Sequence, residues 1–484
     1  MSAKTRLSSF IQHPYLFAGF MVVGLSACGS SSDDSGVGYV QFYNASSNAP
    51  AIYLTMDKDN DDDFNSKTHS AVSYGKAGGS YEYDTDNYDI DFSWDDGDSE
   101  LEEIYESSLK IASDDTQLVV IAGNIATPEV LYFDIEDIDD DNDDDEDLFN
   151  LRIINMHSFS GGVDIYLSKS NETFNEAVLF SNVTYGEIST NVKYDQDDYV
   201  IYLTAAGSMD VLYQSEEIAY IYPSQYLMII RENNGPSDSP FTIDQITKSS
   251  GATEYPDADA SAEFRLYNGL FEHELLPEYQ SVADVHVNGI SDDPEVPNFY
   301  SGEFSESMQR DFGDYSLDLT IPESNEVIIQ NHLLTLNAGD DKTVFFYVRE
   351  EDVSDDDDDE EEIEITLNSL VVDNSNRESL YDHQVTIINL IDEFSKVDVY
   401  FVESNETIDS TDNDKHVPYI TPQSITLLNN TYNVYVIGEE NSSDMILVRS
   451  ELVLDEDTHD MFLIVEEDVN SITGYKMMFT DQKD

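Results

Sequence analysis

The sequence is short of positive charge and almost without cysteine and tryptophan. Lys and Arg number 21 among 484 residues, against 102 Asp and Glu, for a formal charge of −81. So negative a surface repels nucleic acid and anionic headgroups, and direct nucleic-acid binding is excluded on that ground. The one cysteine, Cys28, allows no intrachain disulfide. After the N-terminal segment no apolar run approaches the roughly 18 residues a membrane helix needs. There is no Gly-x-Ser-x-Gly elbow, no phosphate-cradling glycine loop and no cysteine nucleophile. The nine histidines are scattered, without the close spacing of a zinc helix or ribbon. Material for a core is present, because 40% of the residues are hydrophobic and there are 31 Tyr and 23 Phe. The chain is therefore expected to fold, its acidity serving as a solvating surface screened by salt.

Residues 1–27 read as a secretory signal. Lys4 and Arg6 form the charged start, and Tyr15 to Leu25 form an apolar stretch too short for a comfortable membrane span. Leu25-Ser26-Ala27-Cys28 resembles a bacterial lipobox, which implies lipidation of Cys28 after cleavage. Two or more acyl chains anchor stably where one is marginal. Residues 28–37, rich in Ser, Asp and Gly, read as a flexible tether. Gly29 is not the Asp associated with inner-membrane retention, so the expected location is the outer membrane, facing periplasm or cell surface. Cleavage removes Lys4 and Arg6 and makes the mature chain more negative still.

The rest of the chain states one pattern four times: an apolar strand ending in Asn, a turn, and a strand centred on an aromatic or His. Asn44, Asn155, Asn268 and Asn389 mark the copies, 111, 113 and 121 positions apart. The second strands carry Ile52-Tyr53-Leu54, Val163-Asp164-Ile165-Tyr166-Leu167, Val282 to Val287 and Val397-Asp398-Val399-Tyr400-Phe401. Tyr74-Gly75 recurs as Tyr185-Gly186, with a further Tyr at Tyr88 and Tyr199; Gly302 and Tyr315 continue the series, and Tyr419 and Tyr432 are its loosest members. Late apolar runs, such as Leu118-Val119-Val120-Ile121 and Met461-Phe462-Leu463-Ile464-Val465, read as core strands. Short strands at regular spacing with turn signals indicate an all-β protein of four tandem Ig-like β-sandwich domains, about seven strands each. The expected boundaries are 38–148, 149–260, 261–382 and 383–484.

Asn44-Ala45-Ser46-Ser47-Asn48-Ala49-Pro50-Ala51-Ile52-Tyr53 resembles the opening signature of the bacterial family called domain of unknown function 4397. In that family an Asn- or His-Ala-Ser turn with a downstream Ala-Pro leads into a Val-Asp-Val-Tyr strand. Asp164-Ile165-Tyr166 and Asp398-Val399-Tyr400 keep the strand half, His286 departs from its aromatic, and Ala51 stands where the other copies have Asp. The resemblance implies a secreted Ig-like sandwich, often in tandem, with no established activity to carry over.

Several groups are candidates for chemistry. Asp57, Asp59 and Asp61 alternate as in a calcium loop, which makes calcium the one cofactor suggested, but Asp62 and Thr68 stand where an EF-hand needs Gly and Glu. The acidic runs 134–147 and 355–362 read as solvated loops, the second lying within the third unit. The four Asn residues read as turn braces, the repeated Tyr residues as rim packing and His286 as a surface or rim residue. Trp94, the one tryptophan, reads as a core residue, with stacking on carbohydrate as the alternative. The expected function is a non-enzymatic binding or structural module of the cell envelope, partnered by the membrane through its lipid and by an envelope protein or glycan. Calcium-dependent adhesion or glycan binding is a second expectation. A carboxylate hydrolase is disfavoured, since Asp164, Asp284 and Asp398 have no counterpart at Ala51.

Overall fold

The computed structural model describes residues 36–58, 64–97, 101–138, 147–158, 161–324, 326–352, 363–440 and 442–483. Eight sheets form four two-sheet sandwiches in tandem, the all-β Ig-like architecture expected from the sequence. With the edge strands that units one and two break into two segments each counted as one, the first strand of every unit lies parallel to the seventh. The first strands are Val37–Ala45, Leu148–Asn155, Ala262–Asn268 and Asp382–Asn389. The seventh are Asp115–Ala122, Gln225–Glu232, Asp341–Asp352 and Met461–Glu467. The register repeats: Asn44 faces Ile121, Asn155 faces Ile230, Asn268 faces Phe346 and Asn389 faces Val465.

The opposite sheet is built on the second strand (Tyr53–Asp57, Val163–Lys169, Val282–Val287, Lys396–Val402) paired with the fifth (Asn87–Trp94, Asp197–Ala205, Gly313–Thr320, Thr431–Glu440). On that count each sheet has four strands, so each unit has one more than the seven expected, and the second unit adds Thr253–Tyr255 at the edge of one sheet. The extra strand is hard to read because the edge strands are short; in the first unit the third strand is only the exposed pair Lys67–Thr68. The third unit's seventh and eighth strands form a long hairpin, Asp341–Asp352 with Ile363–Asp373, and run 355–362 falls between them, outside the described residues.

Each motif Asn is fully buried and ties the two halves of its turn together. Its side-chain oxygen accepts the backbone N–H two residues on, from Ser46, His157, Leu270 or Ile391, at 2.9–3.2 Å. Its amide donates to a carbonyl of the opposite sheet's edge, on Val72, Val183, Phe299 or Val417, at 2.8–3.3 Å. Asn supplies both functions in one short side chain, an oxygen that accepts at i+2 and an amide that donates, where an ionised Asp could only accept. The Asn carbonyl takes the N–H of a residue with positive φ: Gly75, Gly186, Gly302 and, in the fourth unit, Ile420 at φ 53°. That equivalence fixes the loose fourth copy. Tyr88, Tyr199, Tyr315 and Tyr432 donate to the carbonyl four residues earlier, at 2.6–3.1 Å, forming the tyrosine corner of Ig-like sandwiches. Their hydroxyls thus brace a strand entry instead of standing free at the rim.

The late apolar runs are continuous because both faces of those strands are buried. Val119 and Ile121 point into the first unit's own core, while Leu118, Val120 and Ala122 meet Ile154, Met156, Ile229 and Ile246 of the second unit. Leu463 and Val465 likewise serve the fourth unit's core, while Phe462 and Ile464 pack on Tyr267 and Phe345 of the third. The four sandwiches are therefore two face-to-face pairs, units one with two and three with four.

Candidate functional site

A cleft of about 1010 Å³ opens between the first and fourth units. Its position follows from a connector, residues 374–381, that leaves the third unit and crosses the end of the first. Arg377 fastens the connector to the fourth unit through Asp382 at 2.8 Å and Asp460 at 3.0 Å. Leu380 donates its N–H to the Asn48 carbonyl at 3.0 Å, and Asn429 returns an amide bond to the Leu380 carbonyl at 2.8 Å. Asn48 belongs to the Asn-Ala-Ser-type turn that the later copies do not keep, so the first unit's own turn chemistry is what receives the connector.

These bonds lay Tyr381 on Trp94, with ring centroids 4.9 Å apart and planes 21° from parallel. Trp94 ends the first unit's fifth strand and is half-buried, with its stack lining the cleft beside Tyr53. This corrects the expectation of a core tryptophan: the ring lies at a strand end, where a neighbouring unit covers only part of it. Asp95 and Asp96 line the cleft from the first unit, and Glu403, Glu406 and Asp412 from the fourth. No Lys or Arg is among the described lining residues, and the amides Asn405, Asn413 and Asn430 complete the polar wall. The Tyr432 hydroxyl, at the cleft floor, is pushed up to about 12 by burial and by the charges of Glu403 and Glu406. The arrangement offers an aromatic platform and a dense negative field, with hydrogen-bonding amides between them.

A second concavity lies at one end of each face-to-face pair. Between units one and two it measures about 300 Å³, bounded by Ser47, Asn124, Ser158 and Glu232. Between units three and four the corresponding space is about 630 Å³ and includes Glu350, Glu467 and His273. The cause is visible in the spacing from the motif Asn to the second strand: 8 residues from Asn155 to Val163 and from Asn389 to Val397, but 14 from Asn268 to Val282. The longer loop carries His273, which accepts the Leu275 N–H on Nδ1 at 3.0 Å and so presents its proton on Nε2 to Glu350 at 2.9 Å. Burial, then Glu393, Glu350 and Asp392, push the Glu467 carboxyl up.

The candidates singled out in the sequence are not brought together. Cys28, Asp59 and Asp61 lie outside the described residues. Asp57 accepts the N–H of Lys58, whose ammonium pairs with Asp86 at 2.9 Å, so the described end of this loop already holds a cation. No cluster of three metal-binding side chains occurs among the described residues. His286 is buried, correcting the surface reading: Ser291 donates to its Nδ1 at 3.3 Å, and Thr320 Oγ1 lies 3.1 Å from Nε2. The turn after the second strand folds over the ring. Asp164 braces a turn by accepting from Asn182 and Gly207, both at 2.7 Å, whereas Asp398 pairs with His416 and Lys396. The cleft residues were missed because a site shared by the first and fourth units leaves no local spacing. Trp94, singular in the chain, was the one available signal.

No family model matches the chain, and no curated protein matches it in sequence. The resemblance to the domain of unknown function 4397 therefore rests on its quoted residues alone. Solved structures align with it at low similarity, two among them being the following. The Bacillus anthracis TIE protein is 9% identical over 90% of this chain and 75% of its own, with a TM-score of 0.14. An adhesin candidate from Bacteroides ovatus is 10% identical over 46% of this chain and 97% of its own, also with a TM-score of 0.14. At such scores the functional reading rests on the cleft.

Proposed function

We propose that this protein is an envelope lipoprotein, anchored to the outer membrane through Cys28, that binds a polar partner without transforming it. The observation that carries the reading is the inter-unit cleft, where Trp94 and Tyr381 stack beside carboxylates of two units. Clefts of several hundred Å³ with an aromatic surface and a few convergent polar groups are common ligand sites. A second reading, glycan binding, is favoured by the same stack, since an aromatic face and amide neighbours suit a sugar ring.

Two measurements test the proposal. Metabolic labelling with a fatty-acid analogue should mark the wild type in the outer-membrane fraction and fail with Cys28→Ser; labelling that survives the substitution contradicts the anchor. For binding, Trp94 is the only indole, so the emission of the whole protein reports on the cleft. Envelope-derived glycans and peptides, titrated singly, should include one class that shifts this emission saturably. If none does, the cleft is not the binding site.

A further inference from the structure

We propose that Thr386 and Gln482 are the reacting pair of an internal cross-link, in which the threonine hydroxyl displaces ammonia from the glutamine carboxamide. The ester so formed ties the first strand of the fourth unit to the end of its last, and it is independent of the binding cleft. Gln482 follows the eighth strand, Tyr475–Asp481, and its backbone N–H is held by the Asp460 carbonyl at 2.9 Å. Its side chain turns back over the seventh strand, donates to the Met461 carbonyl at 3.0 Å and reaches Thr386 Oγ1 on the first strand at 3.1 Å. Thr386 is 6% exposed and Gln482 2%.

The other units fill this position differently. Three residues before the motif Asn stand Gln41, Arg152, Arg265 and Thr386. The first three are long side chains that themselves reach a carbonyl, of Thr247 at 2.6 Å, of Glu136 at 3.1 Å and of Asp481. Only in the fourth unit is the residue a short nucleophile, and there the last residues of the chain bring a carboxamide to it.

The surroundings supply what such a step needs. The Ser375 N–H donates to Gln482 Oε1 at 2.7 Å, where negative charge develops as Oγ1 adds to the carbonyl carbon. Ser375 is held in turn by its hydroxyl on Asp460 Oδ2 at 2.6 Å, and Asp460 is fixed by Arg377 at 3.0 Å. Ser424 Oγ lies 3.0 Å from Thr386 Oγ1, so the threonine hydroxyl has a neighbour through which its proton can pass. A turn of the carboxamide about its last bond presents the face of the carbonyl carbon to Oγ1. The O–C bond then forms, the C–N bond breaks, and the threonine proton ends on the departing nitrogen, which leaves as ammonia. Fixed proximity stands in for a strong base, since well-oriented pairs reach effective concentrations on the order of 10⁵–10⁸ M. Burial keeps out the water that would hydrolyse the product. A link that closes most of one sandwich restricts its unfolded chain.

The test is mass spectrometry of the purified full chain carrying Cys28→Ser, which removes the lipid. The intact mass should fall below that of the sequence by one ammonia. After trypsin, peptides 378–396 and 477–483 should be recovered as one linked species that hydroxylamine splits, as it splits esters and not amides. Thr386→Val keeps the shape without the hydroxyl and should restore the full mass and two separate peptides. Thr386→Ser keeps a hydroxyl and should restore the link. Recovery of both peptides separate and unmodified from the parent chain would overturn the proposal, and that reading holds even where a variant fails to fold. A linked species that resists hydroxylamine, or an ammonia loss that persists in Thr386→Val, would overturn it as well.

Discussion

The two face-to-face pairs answer the same packing problem differently. Both bury the motif strands and the late apolar strands between sandwiches, and in both a Tyr of the first partner donates to a carboxylate of the second. Tyr43 meets Asp244 at 2.5 Å, and Tyr267 meets Glu466 at 2.5 Å. The ion behind the carboxylate differs. Asp244 is fully buried and held by Arg231, itself nearly buried, at 2.7 Å. Glu466 is held at 2.9 Å by Lys476, whose side chain is partly exposed. Burial works against the Arg231 charge, but Asp244 and the two neighbouring tyrosines more than offset it and raise its proton affinity. A repeat can therefore keep a junction's geometry while changing which side chain supplies its charge, provided that every buried charge is matched.

The largest difference is expected from removing the cation. Arg231→Ala leaves Asp244 buried without its partner and should cost about 3–5 kcal/mol, whereas Lys476→Ala should cost roughly 1 kcal/mol or less. Denaturant titration should show the first variant losing its earliest transition to much lower denaturant, and equal losses would show that the pairs are not distinguished in this way. Next come the braces. Asn44→Ala and Asn389→Ala each take away the acceptor of a buried N–H, on Ser46 or Ile391, and a side-chain donor to a carbonyl of the opposite sheet, at a cost of about 1–3 kcal/mol. Similar losses in both units are expected in the same titration, and a neutral result in either removes the brace from the account.

A smaller contrast lies at the left-handed turn. Gly75→Ala should lose about 1 kcal/mol, since a side chain is forced into positive φ and its Cβ would lie 3.1 Å from Arg231. Ile420→Gly should fall within about 1 kcal/mol of neutral, because relief of the same strain is offset by lost packing at the third–fourth junction. Thermal unfolding of both variants distinguishes these outcomes. The smallest effect is pH-dependent. Glu467 has its carboxyl pushed up by burial, then by Glu393, Glu350 and Asp392, so the folded state binds its proton more tightly than the unfolded chain does. Its contribution is greatest below the unfolded carboxyl range and is lost as pH rises through the folded value. Glu467→Gln should raise stability slightly at pH 7 and flatten the decline between acid and neutral pH. An unchanged slope would show that the local acids do not act on this group.

Much of the fold was legible because its signals are local. The Asn at each strand end bonds the N–H two residues on, the second strands alternate residue by residue, and each corner Tyr bonds a carbonyl four residues earlier. The pairing of units also left a local trace, read only with the structure in hand: the residue before the motif Asn alternates as Tyr43, Ile154, Tyr267 and Ile388. The odd units carry the hydroxyl that crosses the junction to Asp244 or Glu466, and the even units carry an apolar side chain in the same buried cluster. The enlarged concavity was similarly encoded in the spacing from Asn268 to Val282. The cleft was not, because Trp94 and Tyr381 are brought together by a connector that must first be placed by Arg377 and Asn48. No periodicity records an encounter between residues so far apart in the chain.

The central claim is that the first and fourth units close on one another around Trp94. A Cβ placed on Gly97 would lie 3.0 Å from Leu428 Cδ1. With Cys28→Ser the chain has no cysteine, so Gly97→Cys and Leu428→Cys supply the only two thiols. A short bis-maleimide should join them within one chain rapidly and at low protein concentration, and each single-cysteine variant should give no internal link. If the pair reacts only between molecules, or not at all while both thiols remain accessible to a monofunctional reagent, the units do not close and the cleft is lost with them.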